Sequence, residues 1–212
     1  MNKLKLAGLK TEGVKFKTFL LLCGPSGSGK TYVEKLLTGY SDEHVSFNKL
    51  RQVTTRSPRS QEEIDNKVYE FITKQEYETI KDDLFARTEH NGHLYGTKLS
   101  DAKDSVTTIE CINDDFCKHN VNVVVNTAVV NAGGIDDFKQ YVKNNLSDEH
   151  VRCMVIYIES DSLESRSDRD NEFISKERQE LKGKWDICLL NNADNRLTAQ
   201  DVVKALIKQR FL

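Results

Sequence analysis

Proline is nearly missing from this chain: among 212 residues only Pro25 and Pro58 occur. That excludes proline-rich linkers, and no repeat or low-complexity segment interrupts the sequence. Long apolar runs are missing as well. Phe19–Cys23 and Met154–Ile158 are five residues each, against the roughly 20 that a membrane-crossing helix needs. The opening Met1-Asn2-Lys3-Leu4-Lys5-Leu6 has neither an apolar core nor a small-residue cleavage site, so a cytoplasmic protein without a membrane segment is expected. Neither sign of charge dominates. Lys and Arg number 31, Asp and Glu 33, and the formal net charge is −2, so no basic field points to nucleic acid. Cys23, Cys111, Cys117, Cys153 and Cys188 are odd in number and scattered, which argues for reduced thiols and against a disulfide framework or a metal cage.

What is present alternates between two periodicities. Phe19–Cys23, Val121–Val125, Met154–Ile158 and Ile187–Leu190 read as buried strands. Between them, apolar residues recur at helical spacing: Val33, Leu36 and Leu37; Val106, Ile109, Ile112 and Phe116 after a cap at Asp104 or Ser105; Ile135, Phe138 and Val142; Val202, Val203, Leu206 and Ile207. Strands alternating with helices predict an α/β fold, a parallel sheet flanked by helices. A polar stretch at 46–100 and an arginine-rich one at 161–182 interrupt the pattern, and residues 1–17 suggest a small hairpin or entry strand.

Glycine is sparse, 11 in all, yet three fall in one octapeptide, Gly24-Pro25-Ser26-Gly27-Ser28-Gly29-Lys30-Thr31. It matches G-x-x-x-x-G-K-[ST], between a predicted strand and a predicted helix. Such a loop turns its backbone N–H groups onto a polyphosphate, helped by the helix N-terminus. Lys30 would then reach the β- and γ-phosphates, and the Thr31 hydroxyl would ligate Mg²⁺. Further on, Arg56 and Arg59 flank Ser57-Pro58, a spacing that lets two guanidinium forks converge on one anion. Tyr69 follows, and Tyr95 sits beside a glycine turn in Asn91-Gly92-His93-Leu94-Tyr95-Gly96-Thr97. Alone, each piece also fits a solvated face or ordinary packing.

Together these segments resemble the guanylate kinase family: the P-loop at 24–31, Thr54-Thr55-Arg56-Ser57-Pro58-Arg59, Tyr69-Glu70-Phe71, Gly92 and Tyr95-Gly96-Thr97, then Asp186-Ile187-Cys188-Leu189-Leu190-Asn191-Asn192. The resemblance runs in order over 18–212. It implies a P-loop nucleoside monophosphate (NMP) kinase fold with a core at 18–45, 101–160 and 183–212, an NMP-binding insertion at 46–100 and a short lid at 161–182, preceded by an extension at 1–17. It also implies ATP and Mg²⁺ as cofactors and small-molecule partners only, with ATP held by Gly24, Ser26, Gly27, Ser28, Gly29, Lys30, Thr31 and Asn191. The acceptor would be held by Gln52, Arg56, Arg59, Tyr69, Tyr95, Thr97 and Asn126. Lys30 and the lid arginines Arg166, Arg169 or Arg178 would neutralise the transferred group. Oligomeric state is not legible.

The chain departs from that family in its base-reading positions. Gln52 stands where the family has serine, and Ala86 where it has the glutamate that accepts from guanine. Gln52 offers both a donor and an acceptor, and Arg87 or Glu89 stands close enough in sequence to substitute; with a shifted alignment, Glu89 is itself the guanine reader. Asn126 replaces an aspartate of the family, leaving Thr31, water and the phosphates for Mg²⁺. The expected reaction is phosphoryl transfer from ATP to a (deoxy)nucleoside monophosphate, with (d)GMP foremost. A different or modified (d)NMP, ribose 1,5-bisphosphate as acceptor, and a non-enzymatic binding module are the alternatives.

Overall fold

The computed structural model describes residues 16–25, 27–41, 45–65, 67, 69–104, 119–125, 132–145, 150–160, 178–192, 194 and 196–209. Its centre is β1 (Phe16–Cys23), an apolar strand with helices on both sides. β2 (Val45–Leu50), β7 (His119–Val125), β8 (His150–Glu159) and β9 (Ile187–Leu190) join it in the order β2-β7-β1-β8-β9. Every pairing in this sheet is parallel, with Leu20 opposite Val123 on one side and Met154 on the other. Because side chains alternate along a strand, β1 feeds two cores. Leu20 and Leu22 pack with Val33 and Leu37 of α1 (Lys30–Thr38) and with Val202, Val203 and Leu206 of α6 (Ala199–Lys208). Phe19, Leu21 and Cys23 pack with Ile135, Phe138 and Val142 of α5 (Ala132–Asn145). Each such side chain, when fully buried, contributes about 1.5–3 kcal/mol. Both covered faces explain why the strand reads as an unbroken apolar run.

The chain leaves this sheet at Leu50 and, after Arg51, enters a second one. β3 (Gln52–Thr54), β4 (Tyr69–Phe71), β5 (Leu84–His90) and β6 (His93–Lys98) form a four-stranded sheet in the order β4-β3-β6-β5. The β5–β6 hairpin turns through Asn91 and Gly92 at φ 51° and 74°, the left-handed pair that a two-residue turn of this hand requires. Val53, Leu84 and Leu94 pack one face against Tyr77 and Ile80 of α3 (Lys74–Ile80), whose start carries a capping box between Thr73 and Glu76. A short helix α2 (Gln61–Asp65) precedes β4, and α4 (Leu99–Asp104) follows β6.

Phe85 fastens the second sheet to the core. Its ring stacks on Phe138 at 5.9 Å and Tyr141 at 5.5 Å, and meets Phe19 edge-on at 6.2 Å. The next residue, Ala86, is buried at φ 50°, and the β5–β6 register shifts between Phe85 and Thr88. A left-handed alanine costs about 1–2 kcal/mol, which the burial of Phe85 offsets.

The predicted strands and helices at 19–23, 33–37, 121–125, 135–142, 154–158, 187–190 and 202–207 all form. β2 was not anticipated: Val45-Ser46-Phe47 alternates, but a polar segment masks it, and the 46–100 stretch in fact divides at Arg51 between the two sheets. Helix α4 starts ahead of the expected cap at Asp104 or Ser105, and the periodic residues Val106, Ile109, Ile112 and Phe116 lie outside the described residues. So do residues 1–15 of the proposed hairpin and 161–177 of the lid. Cys23 is buried, Cys153 partly buried and Cys188 exposed, all as free thiols; burial pushes the Cys153 thiol up to about 12. Cys111 and Cys117 lie outside the described residues. Among the described residues no helix is long and apolar enough to cross a membrane.

If Phe85 joins the two sheets, Phe85→Ala will cost about 3–5 kcal/mol, read as a lower midpoint in urea unfolding, while Phe85→Leu will cost less than half as much.

Candidate active site

The P-loop leaves β1 at Gly24, whose φ is 140°. A Cβ there would overlap the Ile158 carbonyl oxygen of β8, so only glycine lets the loop start in register with its neighbour. Gly27 and Gly29 are also left-handed, at φ 79° and 91°, and Gly29 is the N-cap of α1. The loop closes on itself through the Ser28 N–H, which donates to the Pro25 carbonyl at 3.1 Å. Lys30 is 5% exposed, and its Nζ donates to the carbonyls of Gly24 at 2.7 Å and Pro25 at 2.8 Å. The ammonium is thus held over the loop rather than extended into solvent. The Ser28 hydroxyl is buried with no hydrogen-bond partner among the described residues, and such an atom calls for a ligand or water. Thr31 is exposed in the first turn of α1. A loop with bare α-carbons, a lysine across it, an unsatisfied hydroxyl and an open helix start fits a polyphosphate. Among the described residues no group of three or more His, Cys, Asp or Glu side chains forms a cage for a cation.

The second site grows from β3. Thr54 and Thr55 fix the backbone that delivers Arg56. The Thr54 hydroxyl accepts the Arg56 N–H at 3.2 Å, and the Thr55 hydroxyl accepts the Leu94 N–H at 2.9 Å. The guanidinium of Arg56 lies over the rings of Tyr69 at 5.5 Å and Phe71 at 5.7 Å, a cation–π arrangement. Tyr95 meets Tyr69 edge-on at 6.2 Å. By strand alternation Gln52, Thr54, Tyr69, Phe71, Tyr95 and Thr97 share the face opposite α3. The Tyr77 hydroxyl braces that ladder from behind by donating to the Tyr95 carbonyl at 3.0 Å. Gln52 pairs with Thr97 in register, and Gln52 Nε2 and Thr97 Oγ1 are both buried without a hydrogen-bond partner among the described residues. Two orphaned polar groups side by side are costly unless something answers them.

Sequence reading missed Glu63. Its carboxylate accepts from Arg56 Nη2 at 3.0 and 3.1 Å and from the Arg59 backbone N–H at 2.8 Å. The two arginines do converge on one anion, but it is a side chain of α2, and Arg59 contributes its backbone. Within Gln61-Glu62-Glu63 nothing marks it out, because a charge run reads as a solvated face. Burial works against both charges, yet their mutual hydrogen bonds and attraction win. Arg56 is held above its ordinary value and Glu63 below the usual carboxylate range.

The remaining expected residues divide. Asn191 stands against the P-loop, where its Nδ2 donates to the Ser28 carbonyl at 3.0 Å. Arg178 pairs with Glu159 at the end of β8 at 2.8 Å. Arg59 is exposed, Ala86 is buried in the same core cluster as Phe85, and Glu89 is exposed near the hairpin tip, opposite Leu94. Ser26, Asn126, Arg166 and Arg169 lie outside the described residues.

Comparison with known proteins decides the family. The guanylate kinase family model matches residues 16–195. A guanylate kinase of Mycoplasma mobile is 30% identical over 185 residues, 82% of this chain and 84% of that one. The chain belongs to the guanylate kinase family. Over a shorter stretch, 100 residues, a guanylate kinase of Bacillus subtilis is 37% identical, covering 43% of this chain and 48% of its own. The crystal structure of guanylate kinase from Anaplasma phagocytophilum superposes with a TM-score of 0.56 at 17% identity, over 94% of this chain and 89% of that one. That likeness shows the fold, a P-loop NMP kinase with a parallel sheet flanked by helices. This member of the family is accordingly an enzyme, a phosphotransferase.

The Arg56–Glu63 pair carries a pH signature. Glu63 has a folded-state value below its ordinary 4.5, so its contribution is fully present above pH 4.5 and is lost as pH falls through the lower folded value. Glu63→Gln will lower stability near neutrality by about 1 kcal/mol. It will also flatten the acid limb of a plot of melting temperature against pH relative to the unsubstituted chain.

Proposed function

We propose that the enzyme transfers the γ-phosphoryl group of ATP to guanosine 5′-monophosphate or its deoxy form, giving ADP and the diphosphate. The observation that carries this is the pairing of two sites on one chain. A phosphate loop built on bare glycines precedes a face that runs from Arg56, Tyr69 and Tyr95 to Gln52 Nε2 and Thr97 Oγ1, which have no partner among the described residues. The first suits a triphosphate, and the cationic and phenolic end of the second suits the acceptor's phosphate. An oxygen of that phosphate forms the new bond to the γ-phosphorus while the bond to the β–γ bridging oxygen breaks and ADP leaves. Lys30 and the backbone amides of the loop offset charge on the donor, and positioning supplies most of the rate. Bound Mg²⁺, held through Thr31, would add charge neutralisation across the β- and γ-phosphates. Arg166, Arg169 and Arg178 are the candidates for charge on the moving group, and Asn126 for a further polar contact to the acceptor.

The base is read by the inner end of the face. A free amide N–H of Gln52 needs an acceptor, which the 6-oxo group of guanine supplies, whereas adenine presents an amino donor there. Ala86 brings no carboxylate to answer the ring N–H and 2-amino group of guanine. A site without the polar partner loses the discrimination of about 10⁴–10⁵ that such a partner supplies. Inosine monophosphate will therefore be turned over within about tenfold of the guanosine form, and the adenosine form poorly. The missing carboxylate also favours a second reading, an acceptor with another or modified base, or ribose 1,5-bisphosphate.

The test is ADP formation from ATP–Mg²⁺ with a panel of nucleoside monophosphates and ribose 1,5-bisphosphate. Turnover of guanosine and inosine monophosphates is expected, and turnover of none of the panel would refute the kinase reading. Lys30→Ala will lower kcat by at least ~10³-fold with the fold intact. Arg56→Ala will raise the acceptor KM by about 10–100-fold while leaving the ATP KM within twofold.

A further inference from the structure

We infer that Asn191 is a positioning residue that sets the direction of the Ser28–Gly29 peptide, and through it the phosphate-binding shape of the loop. This rests on reading Gly24–Thr31 as the donor site. Asn191 follows β9, 163 residues away from Ser28 in sequence. Three of its polar groups are engaged at once. The side-chain amide donates to the Ser28 carbonyl at 3.0 Å, its carbonyl accepts the Leu197 N–H at 3.2 Å, and its backbone N–H donates to the Glu159 carbonyl at 2.8 Å. The residue is thus fixed to β8 and to the entry of α6 while holding one carbonyl of the loop.

The consequence follows from the planarity of a peptide. In a trans peptide the C=O and the following N–H point in opposite directions. Drawing the Ser28 carbonyl onto Asn191 therefore turns the Gly29 N–H away from Asn191. The approach is close. Gly29 is left-handed at φ 91°, and a Cβ on it would overlap Asn191 Nδ2. Glycine at 29 and asparagine at 191 are thus two halves of one contact. An aspartate at 191 would still accept from Leu197 but would set a carboxylate against the Ser28 carbonyl, favouring the opposite peptide direction. Asn191 therefore acts on ATP through the loop, in a way that a side chain reserved for the nucleotide does not.

Titration calorimetry with ATP–Mg²⁺ on the full chain tests this, alongside the melting temperature and the acceptor KM. Asn191→Ala and Asn191→Asp will each weaken ATP binding at least tenfold, Asp more than Ala, with the acceptor KM within twofold. Thr198→Ala loosens the neighbouring cap of α6, where the Thr198 hydroxyl accepts the Asp201 N–H at 3.2 Å. It will lower the melting temperature yet leave ATP affinity within twofold. A folded Asn191→Ala or Asn191→Asp that binds ATP–Mg²⁺ within twofold of the unsubstituted chain would overturn the inference. So would a Thr198→Ala that weakens ATP as much as Asn191→Ala does. If Asn191→Ala fails to fold, Asn191→Asp, which keeps the Leu197 bond, decides alone. Absence of ATP binding by the unsubstituted chain would overturn the donor-site reading itself, which separates that failure from this one.

Discussion

The Ile158 carbonyl oxygen leaves no room for a Cβ at Gly24, and this is where sheet and site meet. β1 pairs in parallel with β8 as far as Cys23 opposite Tyr157, so the loop begins one residue beyond the last pair. Any side chain at 24 would push the loop off its strand, and every later residue of the loop would lose its register. The two cores on either side of β1 keep that strand immobile: Leu20 and Leu22 are held by α1 and α6, and Phe19, Leu21 and Cys23 by α5. Rigidity of the sheet thus becomes placement of Lys30 and of the loop amides, which is the kind of preorganisation that phosphoryl transfer depends on.

The acceptor side is organised differently. It is a small sheet tied to the core largely through Phe85 and the aromatic rings of α5. Its cationic end is satisfied internally, since Glu63 answers Arg56. Its inner end is not, since among the described residues Gln52 Nε2 and Thr97 Oγ1 have no hydrogen-bond partner. A buried polar group without a partner costs about 1–3 kcal/mol, and two of them stand in register on adjacent strands.

The sequence made some of this legible and hid the rest for physical reasons. Phe19–Cys23 and Met154–Ile158 read as strands because both faces are covered, which leaves the sequence without polar alternation. The glycine loop read as a phosphate site because its spacing is local. β2 was hidden because half of its residues are polar, as in Ser46, Asn48 and Lys49. Glu63 was hidden because its role depends on a guanidinium seven residues away meeting it across a loop. Asn191 was legible as a residue of the donor side through family resemblance. That its amide reaches Ser28 depends on β9 lying beside β8, a long-range fact that no window of sequence contains. Ala86 was legible as a missing carboxylate, while its left-handed backbone and the register shift beside it emerge only when Phe85 must turn into the core.

Whether the loop at 24–31 and the face around Arg56 are two halves of one transfer site is tested most directly by calorimetric binding of a bisubstrate ligand, adenosine and guanosine joined through five phosphates. If the halves face each other, joining them removes most of the entropic cost of the second binding event, so this ligand will bind at least ~10²-fold more tightly than ATP or guanosine monophosphate alone. An affinity no greater than that of ATP alone would contradict the account.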